Sequence, residues 1–195
     1  MISFSKQTRP GWAFAGGMLL LMVLLQIIGP EAFRYEHDWL KNGEFWRILL
    51  AHWVHVNWMH FLLNAIGLVL CLSITTPVWS MKRWLLYHIF FAMGISALFT
   101  INNPDLAWYV GYSGILYGIF LLAAIDLYSR DRLIAILLAL GIVTKIALEQ
   151  TSDLNLTSSD IIGTPVIVDA HFYGILIAIL IALNNRFIKM VKQAP

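Results

Sequence analysis

Charged residues are scarce in this sequence. Of its 195 residues only 12% are charged while 59% are hydrophobic, and the mean hydropathy is +0.75. Soluble domains contain about 25% charged and roughly 45–50% apolar residues, so the composition excludes a soluble globular protein. The 13 Lys and Arg are scattered along the chain and the net charge is only +2. This pattern excludes the clustered basic surface of a nucleic-acid-binding protein.

Cysteine and metal-binding motifs are also nearly absent. Cys71 is the single cysteine, which excludes an internal disulfide framework. The sequence has no H-E-x-x-H motif, and no carboxylate accompanies His52, His55 and His60 within their span. We therefore predict that the protein has no metal and no other cofactor, and we interpret His55 as a structural hydrogen-bonding residue of its loop. A metal site at these histidines is the alternative.

Long apolar runs, in contrast, fill the chain. A helix needs about 20 mostly apolar residues to cross a bilayer, and an open sheet would leave its backbone without hydrogen-bond partners in lipid. We therefore predict an all-α polytopic membrane protein with one domain, residues 1–195, and no room for a separate soluble domain. The six predicted spans are Trp12 to Gly29, His55 to Thr75, Trp84 to Ile101, Val110 to Tyr128, Leu133 to Glu149 and Val168 to Ile188.

The distribution of basic residues predicts the orientation of these spans. If the N-terminus is cytoplasmic, only Arg34, Lys41 and Arg47 lie in external loops, and Lys145 lies near the outer end of the fifth span, four residues from Glu149. The excess of basic residues inside follows the positive-inside rule. Both termini are then cytoplasmic, and the second, fourth and sixth spans begin outside. The inside residues are Lys6, Arg9, Lys82, Arg83, Arg130, Arg132, Arg186, Lys189 and Lys192.

The few polar residues within the spans are concentrated near the starts of the second, fourth and sixth. A charged group inside a membrane costs roughly 2.5–3.5 kcal/mol on insertion scales, so intramembrane polar groups are functional candidates. Asn64, Ser113 and His171 each lie within the first few turns of a span that begins outside. We therefore expect these three side chains at one depth, where they would form a single polar site.

Ser113 and His171 are the predicted catalytic pair. A serine hydroxyl becomes a good nucleophile when an adjacent base takes its proton, and His171 is the one histidine in the last three spans. Gly174 and Ala178 form a small-residue ridge that would let the sixth span approach closely. Asp169 lies two residues from His171 and so points to another side of the helix. A serine-histidine dyad is therefore expected, rather than a triad with Asp169.

The start of the fourth span provides a setting for this chemistry. Counted from Ser113, its helix is about 24 Å long, short of the roughly 30 Å of hydrocarbon, so it is expected to begin inside the membrane. Unpaired backbone N–H groups at such a start can stabilise an oxyanion. Asn64 and His60, one turn apart, are further candidate donors, and the Tyr117 ring is placed to orient His171.

Four groups of residues resemble motifs of the rhomboid family of intramembrane serine proteases, in the right order and on the right spans. Gly111-Tyr112-Ser113-Gly114 is similar to the G-x-S-G nucleophile motif, and Tyr117 occupies the family's tyrosine position. The other matches are A-H-x-x-G at Ala170, His171 and Gly174, H-x4-H-x3-N at His55, His60 and Asn64, and E-x-W-R at Glu44, Trp46 and Arg47.

The resemblance implies six helices around a water-filled cavity that opens to the outside, and transmembrane proteins as substrates. It also implies that Ser113 is the nucleophile and His171 the base. The oxyanion hole would consist of the Ser113 backbone N–H, His60 and Asn64. By the same resemblance, the remaining motif residues are supporting ones: Gly111, Gly114, Tyr117, His55, Gly174, Trp46 and Arg47.

The short chain and the run from His52 to His60 most resemble the rhombosortase branch of Gram-negative bacteria. This resemblance implies exported substrates that carry a C-terminal glycine-glycine, an apolar helix and a basic tail. They would be cleaved near the outer face of the inner membrane. Tyr117 is the ordinary rhomboid residue at a position where this branch often has His.

Two other functions compete with a protease. An inactive rhomboid-like chaperone would hold transmembrane clients in the same cavity, but its usual mark is a missing Ser or His, and both are present here. A small transporter would show repeated halves with paired broken helices, whereas this sequence has one candidate broken helix and no evident repeat. The sequence therefore favours an intramembrane serine endopeptidase.

Overall fold

The computed structural model describes residues 9–75, 79–151 and 159–193. Lys6, which is predicted to be cytoplasmic, lies outside these ranges, as do the side chains of Arg9, Arg186, Lys189 and Lys192. Within the described ranges the regular structure is almost entirely helical. The α-helices are α1 (Arg9–Ile28), α2 (Arg47–Leu50), α3 (Trp58–Thr75), α4 (Met81–Asn102), α5 (Ser113–Leu127), α6 (Arg132–Thr151), α7 (Ser159–Ile162) and α8 (Asp169–Gln193).

The prediction of an all-α polytopic membrane protein is confirmed. Four helices are long and apolar enough to cross a bilayer, namely α1, α3, α4 and α6, and the apolar parts of α5 and α8 are shorter. The protein is therefore an integral membrane protein. The count of six spans stays a prediction, because α5 and the apolar part of α8 fall below the length at which composition alone indicates a crossing.

The second predicted span begins too early. Its helix starts at Trp58 rather than at His55, because the preceding residue caps the helix. The Asn57 side chain accepts a hydrogen bond of 2.9 Å from the backbone N–H of His60, as N-terminal caps do. His55 therefore lies in a buried loop before the helix, and His60 lies in its first turn.

The fourth predicted span also begins too early. Helix α5 starts at Ser113 rather than at Val110, because Gly111 has a φ of 132°, a conformation that is incompatible with an α-helix and favours glycine. Its 15 residues give a length of about 22 Å. The expectation of a short helix that starts with the serine agrees with this geometry.

Helix α5 is the centre of the bundle. It packs against α3, α4, α6 and α8, with its largest contact on α8. A helix that is apolar on all faces is expected to be buried on all faces, and α5 has this character. Its fully or nearly fully buried side chains are Ile115, Leu116, Ile119, Leu121, Leu122, Ala123 and Ala124.

Two short strands are a departure from the purely helical prediction. Strand β1 (Tyr35–Glu36) pairs antiparallel with β2 (Trp108–Tyr109), and Tyr35 lies opposite Tyr109. β1 belongs to the loop between α1 and α2, and β2 precedes α5. The pairing therefore joins the first loop to the segment that leads into the serine helix.

Candidate active site

The first turns of α5 and α8 meet at one point. Ser113 begins α5 and His171 lies in the first turn of α8, and Ser113 Oγ lies 2.8 Å from His171 Nε2. His171 is 4% exposed. A hydroxyl hydrogen-bonded to an imidazole nitrogen has the arrangement in which a base can take its proton. The structure thus brings together the two residues that the sequence predicts at one depth.

Glycines set the distance between these helices. A Cβ atom on Gly174 would lie 2.0 Å from the backbone oxygen of Gly114, and one on Gly114 would lie 2.7 Å from the oxygen of Ala170. Real Cβ atoms do not approach backbone oxygens so closely, so any side chain here would force the helices apart. Ala178, one turn further along α8, is fully buried. The expected small-residue ridge therefore provides the close packing that permits the Ser113 contact.

The turn before Ser113 depends on Gly111 for two reasons. Its φ of 132° favours glycine, and a Cβ atom there would lie 2.8 Å from a ring carbon of His60. Two hydrogen bonds fix the turn: Gly111 N–H donates to the Ala51 oxygen at 3.0 Å, and the Tyr109 hydroxyl donates to the Gly111 oxygen at 2.6 Å. This turn places Ser113 at a helix start, where backbone N–H groups lack intrahelical partners.

His60 and Asn64 extend from α3 into the same cavity as Ser113 and His171. Both side chains are buried, with 8% of His60 and 4% of Asn64 exposed. Asn64 Nδ2 donates a hydrogen bond of 3.1 Å to the backbone oxygen of His60. An amide nitrogen carries two hydrogens, so Asn64 keeps a second N–H for a group in the cavity.

His55 does not form the side-chain hydrogen bonds that were expected of it. Its backbone N–H and oxygen both bond to the Gln26 side chain at 2.9 Å, but neither ring nitrogen has a partner among the described residues. The ring instead packs edge-on against that of His60, with centroids 5.0 Å apart. Nowhere in the described ranges do three His, Cys, Asp or Glu side chains group as a metal site requires.

Tyr117 packs against the histidine, one turn along α5 from Ser113. The centroids of the Tyr117 and His171 rings are 4.5 Å apart, and the ring planes are inclined by 43°. Such a contact restricts rotation of the imidazole. The position predicted for Tyr117 agrees with this packing.

An acidic residue, Glu149, contacts the histidine, although the sequence does not predict it in the site. Glu149 Oε2 lies 2.8 Å from His171 Nδ1, and Glu149 Oε1 lies 2.6 Å from Lys145 Nζ. The sequence predicts only the Lys145 pair. Asp169, as expected, turns away from His171, and its carboxylate accepts a hydrogen bond of 2.7 Å from Asn103. The sequence signal compatible with the Glu149–His171 contact is depth in the membrane. Glu149 lies at the outer end of the fifth predicted span, and His171 lies near the outer start of the sixth.

The E-x-W-R motif lies in the first loop, where its side chains form hydrogen bonds to other residues of the same loop. The buried Arg47 donates hydrogen bonds to Glu44 at 3.0 Å and to the Arg34 oxygen at 2.8 Å, and Trp46 Nε1 donates to the Ala32 oxygen at 3.2 Å. The hydrogen bond from Arg47 lowers the pKa of the Glu44 carboxyl below its ordinary value. The structure therefore places Trp46 and Arg47 outside the group around Ser113.

Ser113 and His60 lie between two cavities of about 410 Å³ each. The first is enclosed by α3, α5 and α6, and its wall is largely apolar. The second is lined mainly by residues of the segments 105–110 and 162–167. Both cavities are lined by Ser113, His60, Ile162 and Val166. The apolar residues that α3, α5 and α6 contribute to the first are Leu63, Leu116, Phe120, Leu137, Leu138 and Ile142.

Comparison with known families identifies one matching domain. The family model described as Rhomboid domain matches residues 42–185, a range that includes Trp46, Ser113, His171 and the other candidate site residues. No curated protein matches the chain. The rhomboid family comprises serine intramembrane proteases that act on membrane proteins within the bilayer, and it also has inactive members. Since the match covers most of the sequence, the chain belongs to the rhomboid family.

Proposed function

We propose that this protein is an active intramembrane serine endopeptidase. It cleaves a peptide bond in or next to a transmembrane segment of a membrane-anchored substrate, and residues 1–195 form one six-span catalytic domain. The observation that carries this proposal is the 2.8 Å contact between Ser113 Oγ and His171 Nε2. Membership of the rhomboid family supports it.

In the proposed mechanism, Ser113 Oγ attacks the substrate carbonyl carbon while His171 Nε2 accepts the hydroxyl proton. Nε2 then gives this proton to the leaving amine as the C–N bond breaks. A water molecule, deprotonated by the same nitrogen, hydrolyses the acyl-enzyme. The Ser113 backbone N–H, the second N–H of Asn64 and the His60 ring stabilise the negative oxygen of both tetrahedral intermediates.

The cavity between α3, α5 and α6 is the proposed path of the substrate. Its apolar wall suits a transmembrane helix, and it leads to Ser113 from the side of the second and fifth spans. The substrate helix would unwind at small residues so that its carbonyl reaches the serine. The second cavity, beneath the segments 105–110 and 162–167, would admit water and the other side of the cleaved bond.

The proposed location is the inner membrane of a bacterium, with both termini in the cytoplasm and the site open to the external side. The distribution of Lys and Arg supports this orientation. Exported proteins with a C-terminal glycine-glycine, an apolar helix and a basic tail are the proposed substrates. The resemblance of the His52 to His60 run to the rhombosortase branch supports this choice.

The second candidate is an inactive rhomboid-like chaperone that uses the same cavities. The contact of Ser113 with His171 favours the enzyme, because a chaperone does not need an imidazole at hydrogen-bond distance from a serine hydroxyl. The two candidates differ in the reactivity of Ser113, which a covalent probe measures directly.

The test uses a fluorescent fluorophosphonate on the full chain in liposomes. Wild type should be labelled, whereas Ser113→Ala and His171→Ala should not. Ser73→Ala provides a matched control, because the Ser73 hydroxyl bonds within α3 to the Val69 oxygen, and it should label like wild type. Equal labelling of all four proteins, or no labelling of wild type, would overturn the proposal.

A further inference from the structure

Glu149 is a buried carboxylate for which the proposed mechanism has no use. Only 4% of its side chain is exposed, and it lies on α6, which contributes neither Ser113 nor His171. Burying a carboxylate is costly unless it is paired and hydrogen-bonded. Glu149 has both kinds of partner, since it contacts Lys145 at 2.6 Å and His171 at 2.8 Å.

We propose that Glu149 is a positioning residue that acts on substrate through His171, so that the site is a triad of Ser113, His171 and Glu149. This inference rests on the proposed protease function and deepens it. The polar contacts run in one series: Ser113 Oγ to His171 Nε2 at 2.8 Å, and His171 Nδ1 to Glu149 Oε2 at 2.8 Å. The two ring nitrogens thus have different partners on opposite sides of the ring.

The carboxylate determines which ring nitrogen carries the proton. An ionised carboxylate only accepts hydrogen bonds, so at 2.8 Å it requires a proton on His171 Nδ1. Nε2 then has a free lone pair, which is the form that accepts the Ser113 proton. Without Glu149 the neutral imidazole is free to carry its proton on Nε2, the form that cannot act as the base.

Lys145 keeps Glu149 in the ionised form. Its Nζ lies 2.6 Å from the oxygen that does not contact His171, and a cation at this distance favours the charged carboxylate. Before the reaction, the positive charge of Lys145 and the negative charge of Glu149 neutralise each other. When Nε2 takes the Ser113 proton, the new positive charge of the imidazolium faces the carboxylate, which stabilises it. The proton on Nδ1 stays there throughout, so Glu149 is never protonated.

The helix arrangement explains why the acid comes from α6. Asp169 is on the same helix as His171 but two residues away, and its carboxylate bonds to Asn103. Glu149 lies in the last turn of α6, beside the first turn of α8. Among the described carboxylates, it is the one that contacts the His171 ring. Asp169 therefore provides a matched control for the loss of a carboxylate near the histidine.

The experiment measures the rate constant of inactivation, kinact, and the binding constant, KI, for a fluorophosphonate probe on the full chain in liposomes. Glu149→Gln should lower kinact by about 100- to 10,000-fold, the range expected when a general base has the wrong tautomer, and leave KI unchanged. Glu149→Asp should recover much of the lost rate. Asp169→Asn should keep the wild-type kinact.

A spectroscopic readout on the wild type does not depend on how the variants fold. Nitrogen-15 NMR of protein labelled at histidine, with the His171 signals assigned by comparison with His171→Ala, should show a protonated Nδ1 and an unprotonated Nε2. In Glu149→Gln the proton should move to Nε2.

A wild-type His171 protonated on Nε2, or a kinact of Glu149→Gln equal to that of Asp169→Asn, would overturn the role of Glu149. In both cases, labelling of wild type but not of Ser113→Ala would still support the proposed protease function. If wild type is not labelled, the protease proposal fails and the role of Glu149 fails with it.

Discussion

The backbone oxygen of Gly114 occupies the space that a side chain on Gly174 would need, since a Cβ atom on Gly174 would lie 2.0 Å from it. The two helices that carry Ser113 and His171 are thus in backbone contact one turn from the reactive groups. The hydrogen bond between these groups depends on this spacing.

Gly174→Ala should therefore separate α5 from α8. We expect a loss of about 1–3 kcal/mol or more in the free energy of unfolding from overpacking, together with loss of fluorophosphonate labelling. Thermal unfolding and labelling of the purified protein measure the two effects. Gly17→Ala on α1 is the matched control, because a Cβ atom there meets nothing within 4 Å. Wild-type labelling of Gly174→Ala would contradict the packing argument.

Asn64→Ala removes a proposed oxyanion donor. The loss should be about 3–4 kcal/mol of transition-state stabilisation, or a hundred- to a thousand-fold in turnover, with KM little changed. Turnover of a transmembrane reporter substrate that the wild type cleaves provides the measurement. Asn185→Ala, at the other end of α8 where Asn185 bonds to Tyr87 at 3.4 Å, should keep wild-type turnover. An equal effect of both substitutions would argue against an oxyanion role for Asn64.

Glu44 should make the first loop sensitive to acid. Its hydrogen bond with Arg47 lowers its folded-state pKa below the ordinary 4.5. The stabilisation is therefore complete above pH 4.5 and is lost as the pH falls through the folded-state pKa. Wild type should unfold at a higher temperature than Glu44→Gln at neutral pH, and this difference should shrink on acidification. Glu31→Gln, which removes an exposed carboxylate of the same loop, is the control; a difference that grows in acid would refute the assignment.

The glycine-glycine signal should determine which exported proteins are cleaved. A reporter with a C-terminal glycine-glycine, an apolar helix and a basic tail should be processed by wild type and not by Ser113→Ala. Replacing the two glycines by bulky residues, with the helix and basic tail kept, should prevent processing. Gel mobility and mass spectrometry of the product measure both. Undiminished cleavage of the altered reporter would remove the sorting role and leave the protease intact.

The sequence predicts the central part of the site because polar residues are so rare in its spans. Ser113, His171 and Asn64 are conspicuous in apolar helices, and the alternating direction of the spans predicts their common depth. The close packing at Gly174 is also predicted from the sequence, since small residues at helical spacing indicate close helix approach.

Contacts that depend on the rotation of a helix could not be predicted in this way. Glu149 has a partner in its own helix, Lys145. Its depth near the outer end of the fifth span is compatible with a contact to His171, but the sequence does not show in which direction its other oxygen points. The sequence does not predict the pairing of Tyr35 with Tyr109, because two-residue strands distant in sequence leave no periodic pattern. The prediction that the second span begins at His55 is wrong, because apolar content alone does not locate the Asn57 cap.

The strand pair links the first loop to the turn before Ser113. Arg47 bonds to the backbone just before Tyr35, Tyr35 pairs with Tyr109, and the Tyr109 hydroxyl bonds to Gly111, two residues before Ser113. These contacts, joined by short stretches of backbone, connect the first loop to the turn that precedes Ser113. We therefore expect mutations in that loop to lower the rate at which Ser113 is labelled by a fluorophosphonate, by altering the direction of its hydroxyl, although they touch neither Ser113 nor His171.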